Sequence, residues 1–164
     1  MIFLRLLLSN VSVKYGLALL LALAVIAPEA SATYALEDWN MEARSALPLH
    51  MKLWLGAMMI ANLSSLFFFK NHVAARWVLG ALIVSHVWIA VLEATGLYTV
   101  QGGQVAIGHI VVWAPAIYAL YRYREEIKLP SAYGVWACAM LFFYGVSLIF
   151  DFRDAFIWLS VQLT

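Results

Sequence analysis

The chain has 164 residues, of which 65% are hydrophobic and 12% charged, with a formal net charge of +1. A soluble domain of this size is about half apolar and about a quarter charged, so that class is excluded. The near-neutral balance gives nucleic-acid binding no electrostatic support, and a single cysteine, Cys138, excludes an internal disulfide and any CxxC redox or zinc motif.

Residues 1–32 carry two readings. Lys14 precedes an apolar run over 16–27, which is followed by Pro28 and the small triplet Ala30, Ser31 and Ala32. That order is the pattern of a cleaved signal peptide. The same stretch, from about 11 to 27, also suits a retained first transmembrane helix with Lys14 reaching back to the interface. From Pro28 to Pro48 the chain turns acidic, with Glu29, Glu37, Asp38 and Glu42, yet Leu36, Trp39, Ala43 and Leu47 recur at helical spacing. The pattern predicts a short helix lying on the outer interface, apolar side down.

Four later segments supply the roughly 20 mostly apolar residues that a membrane crossing needs: 49–69, 77–98, 104–121 and 131–150. In the first, Ala57, Ala61 and Ser65 repeat every fourth residue, a small-residue stripe that lets another helix approach closely. Packing within the chain is the default use of that stripe, and a homodimer face is the alternative. Asn62, one position away, needs a hydrogen-bond partner. The second and third segments form a hairpin about a turn at 99–104, where Gly102 and Gly103 read as turn glycines. Pro115 removes a backbone donor and is expected to kink the third segment. Cys138, in the fourth, reads as a small buried packing residue. Beyond it, Asp151 is the expected N-cap of a second interfacial helix, with Asp154 in its first turn and Phe152, Phe156 and Leu159 along one stripe.

The expected fold is thus an all-α integral membrane protein: a bundle of four transmembrane helices, five if the N-terminal helix is retained, with short outer interfacial helices. Residues 33–164 make a single membrane domain. Arg5, Lys14, Lys70, Arg76, Arg122, Arg124 and Lys128 fall on one side, whereas only Arg44, Lys52 and Arg153 fall on the other. Basic residues are held on the cytoplasmic side. The expectation is therefore a multi-pass plasma-membrane protein whose C-terminus is non-cytoplasmic.

Five ionisable residues form the candidate polar site near the outer surface: His50, Lys52, His86, Glu93 and His109. Glu93 and His109 stand eight residues either side of Gln101, so they are expected at one depth on antiparallel neighbours. His86 and Glu93 are seven residues apart, about 20° short of two full turns, and share a side of their helix. Ionisable groups within lipid are costly, face the bundle interior and often carry function. Lys52 is the expected partner of Glu93 in a structural clasp, with His109 adding a hydrogen bond and His86 a neutral imidazole bonded to a carbonyl. Three functional readings stand beside it. A metal ion would use His50, Glu93 and His109, although HxxxH and ExxH spacings are absent. A proton or cation site would use Glu93 and His86. A bis-histidine haem, with only His50 and His109 near one level, is the least supported cofactor. His72, in a short loop, is expected to be solvated.

No GxSxG, HExxH, P-loop or dinucleotide-binding motif is present, so the sequence leans away from an enzyme. The leading expectation is a non-catalytic accessory or assembly component, embedded in the lipid bilayer and contacting a larger membrane-complex partner or a second copy. The alternative is a self-contained transport or binding protein for a metal ion, proton or small solute.

Overall fold

The computed structural model describes residues 34–95 and 99–164. The signal-peptide or first-helix reading of 1–32 lies outside them, as do 96–98 at the end of the expected second span. The described residues form six α-helices: α1 (Met41–Ala46), α2 (Leu49–Leu63), α3 (Ser65–Phe68), α4 (Val73–Thr95), α5 (Gly102–Arg122) and α6 (Ala132–Gln162). Four stretches are long and apolar enough to cross a membrane: α2 with α3, then α4, α5 and α6.

Local chemistry sets the boundaries. Asn40 caps α1, its Oδ1 accepting from the Ala43 N–H at 2.9 Å. Pro48 immediately precedes α2 and lacks the N–H that a helix start leaves unpaired. The hydroxyl of Ser64 donates to the Ile60 carbonyl at 2.7 Å, where α2 gives way to α3. At the head of α5 the backbone N–H of Gln101 donates to Gln104 Oε1 at 2.9 Å. Ser131 caps α6, its Oγ accepting from Gly134 N–H at 3.0 Å.

α6 then runs unbroken through Asp151 to Gln162. The expected cap at Asp151 and the separate interfacial helix after it are therefore corrected. A cap is required only where the backbone ladder stops, and here it continues while the Asp151 side chain binds elsewhere.

α5 lies against both α4 and α6, and α2 packs on α6 and α4. The core is built from Ala74, Ala75, Val78 and Ala81 of α4, Trp113, Ala116, Ala119 and Leu120 of α5, and Tyr133, Trp136, Ala137, Met140 and Tyr144 of α6. Alanines bring the backbones close, and the α6 aromatics fill the remaining space. The α2 stripe is only partly used. Ser65 is buried and the Ala61 carbonyl accepts from Trp136 Nε1 at 2.8 Å, while Ala57 is exposed. Cys138 is exposed on the outside of α6, not buried.

One end of the bundle carries the 99–101 turn and the other the connections at 69–72 and 123–131; these are the turn end and the loop end below. At the turn end, Trp39 N–H donates to the Val100 carbonyl at 2.7 Å and Gly102 N–H to the Glu37 carbonyl at 3.0 Å. Residues 37–39 are thus paired to the turn, so among the described residues the expected helix is interrupted there, between the helical residues 34–36 and α1. Leu47 of the expected stripe is buried and Leu36 is exposed.

Candidate functional site

Near the turn end, three close approaches hold α5 in register. Gly103 lies so near Trp158 of α6, and Gly102 so near the Tyr34 carbonyl, that neither position has room for a Cβ. Gly108 meets the indole of Trp88 on α4, 2.8 Å from where a Cβ would sit. The glycines at 102 and 103 are packing contacts in the first turn of a helix rather than turn residues. Gln101 completes the joint: its Oε1 accepts from Trp158 Nε1 at 2.6 Å, and its Nε2 donates to the Leu36 carbonyl at 3.1 Å.

That register brings His109 of α5 to Asp151 of α6, with Nδ1 and Oδ1 3.3 Å apart and side chains 21% and 15% exposed. The imidazole stacks on Trp113 at 4.1 Å between centroids, and Trp113 stacks on Tyr144 at 4.9 Å. The Tyr144 hydroxyl donates to Asn62 Oδ1 on α2 at 2.6 Å, and Asn62 Nδ2 donates to the Met58 carbonyl at 2.9 Å. A ladder of polar and aromatic groups therefore links α6, α5 and α2. The second oxygen of Asp151 and Oδ1 of Asp154 are buried without a hydrogen bond among the described residues.

The residues expected to meet one another mostly do not. Glu93 pairs with Arg44 of α1 at 2.9 Å, not with Lys52. The Lys52 ammonium donates to the Ser45 carbonyl at 2.6 Å, where unpaired carbonyls at the end of α1 attract a cation. His109 meets Asp151 rather than Glu93. His50 is exposed. His86 is also exposed rather than facing the interior, its Nδ1 2.9 Å from the Leu82 carbonyl. A carbonyl can only accept, so the imidazole proton is on Nδ1 and Nε2 keeps its lone pair in the neutral ring. Among the described residues no group of three or more His, Cys, Asp or Glu side chains could hold a metal ion, so His50, Glu93 and His109 do not assemble. At the loop end His72 is not simply solvated. It lies 2.7 Å from Glu126 and stacks on Tyr133 at 3.5 Å.

Sequence reasoning missed the His109–Asp151 pair and the Gln101–Trp158 bond. The available signal was the polar run Asp151, Arg153 and Asp154 inside a stretch that otherwise stays apolar and helical. Chemically, a histidine beside a buried carboxylate can hold and orient a proton. No nucleophile lies against it in the contacts seen among the described residues. Comparisons with protein-family models, with curated proteins and with solved structures find no match to this chain.

Proposed function

We propose that this chain is a non-catalytic component of a membrane assembly, docked through the outer face of α4. The observation that supports this reading is His86. It is exposed fourteen residues into the 23-residue α4, among Ile83, Val84 and Val87. An imidazole at that depth is costly against hydrocarbon, and polar groups within membranes normally meet protein. With Nδ1 committed to Leu82, the ring offers Nε2 as an acceptor, so the partner presents a hydrogen-bond donor such as a hydroxyl, amide or indole N–H. Purification in mild detergent, read for co-purifying protein, metal content and visible spectrum, tests the proposal. A stoichiometric partner or a second copy that is lost on His86→Leu, in a protein that still folds, supports it. A solitary protein, or an assembly indifferent to His86→Leu, refutes it.

The second reading is a proton or cation site at His109 and Asp151, favoured by the buried carboxylate oxygen without a partner. Under it, His109→Ala abolishes activity or ligand binding while assembly persists. Both readings take the plasma membrane as the location, with the turn end and the C-terminus outside according to the distribution of basic residues.

A further inference from the structure

Away from these residues, at the loop end, a groove of about 390 Å³ opens between α4 and α5, lined by Trp77, Pro115, Tyr118, Ala119, Arg122 and Tyr123. Its walls are aromatic, and Trp77 and Tyr118 are both exposed on the side that faces lipid in a spanning bundle. Its end is cationic. Five basic residues, Lys70, Arg76, Arg122, Arg124 and Lys128, sit at this end against Glu125 and Glu126. Three of the six other charges at this end are committed. Arg76 donates to the Phe69 and Lys70 carbonyls, Arg124 donates to the Tyr121 carbonyl, and Glu126 is taken by His72. Arg122 forms no ion pair among the described residues; its guanidinium lies 5.9 Å from the Tyr123 ring centroid. It is left with donors in the fork geometry that fits phosphate oxygens.

We propose that this groove holds one anionic phospholipid, its phosphate on Arg122 and an acyl chain along the Pro115–Ala119 side of α5. Charge complementarity selects the occupant. A zwitterionic lipid satisfies the apolar walls equally but brings its own cation to an already cationic end. The volume lies within the range of small-ligand sites.

Native mass spectrometry of the full chain in mild detergent, with equimolar dioleoylphosphatidylglycerol and dioleoylphosphatidylcholine, tests this. About 1 kcal/mol per basic residue at a membrane surface corresponds to roughly a fivefold preference for the anionic lipid. Arg122→Gln is expected to erase that preference, and Arg124→Gln to leave it. Trp77→Ala is expected to lower occupancy by both lipids without changing their ratio. Equal retention of the two lipids by the unaltered chain overturns the proposal. So does a preference that survives Arg122→Gln, which would mark diffuse attraction, or one abolished by excess inorganic phosphate, which would mark a bare anion site.

Discussion

Two side-chain contacts tie three helices together, and each can be separated from its surroundings. The Tyr144 hydroxyl and Asn62 amide meet at 2.6 Å with both side chains buried. Hydrogen bonds between membrane helices are worth about 0.6 kcal/mol on average and up to about 1.7. Tyr144→Phe and Asn62→Ala should each destabilise the chain by about 1 kcal/mol in detergent unfolding titrations, and the double variant should cost less than their sum. Additive losses would mean that the two groups do not sense one another. At His109 a phenylalanine keeps the stack on Trp113 but deletes Nδ1, leaving the Asp151 carboxyl with neither oxygen bonded. His109→Phe is expected to lose about 1–3 kcal/mol of stability, the cost of a buried polar group left unpaired. Asp151→Asn, which can still accept through its amide oxygen, should lose less; the same titration gives the order.

At the scale of the helices, register depends on positions without side chains. Gly103 has Trp158 where its Cβ would be, whereas Gly145 of α6 has open space around it. Gly103→Val should push the end of α6 from the head of α5 and lower stability by about 1–3 kcal/mol. Gly145→Ala should stabilise by about 0.5–1 kcal/mol through helix propensity alone. Thermal unfolding of the two variants side by side checks the contrast, and equal effects would contradict the close approach. The helices themselves were legible from hydropathy, because about 20 apolar residues leave few alternatives. Their polar pairings were not. Reflecting the chain about Gln101 put Glu93 opposite His109, but the contact that forms crosses from α5 to α6. That register is set by the close approaches at Gly103 and Gly108 and by the start of α6 at Ser131. Likewise Lys52 finds a helix-end carbonyl before it finds a carboxylate, because Arg44 reaches Glu93 from α1. Such choices depend on three-dimensional proximity, which periodicity along one helix does not encode.

For the molecule as a whole, the direction of insertion is open to direct measurement. A cysteine at Gly102 is a poor reporter because the Tyr34 carbonyl fills the space. Thr99 is exposed beside it, and Glu125 is exposed at the other end. In a Cys138→Ser background, Thr99→Cys should react with an impermeant maleimide in intact cells, and Glu125→Cys only after permeabilisation. The opposite pattern would invert the orientation inferred from the basic residues.

With 31 residues at 1.5 Å each, α6 is about 46 Å long, whereas the hydrocarbon layer of a bilayer is about 30 Å thick. Some 16 Å of that rod must tilt or emerge, and Asp151 stands eleven residues, again about 16 Å, from the end at Gln162. In a spanning bundle whose excess length emerges wholly at the C-terminal end, the imidazole–carboxylate contact falls at the boundary between oil and headgroups. Lipid tail length becomes a dial on it: thinner leaflets hydrate the contact, and thicker ones seal it away from water.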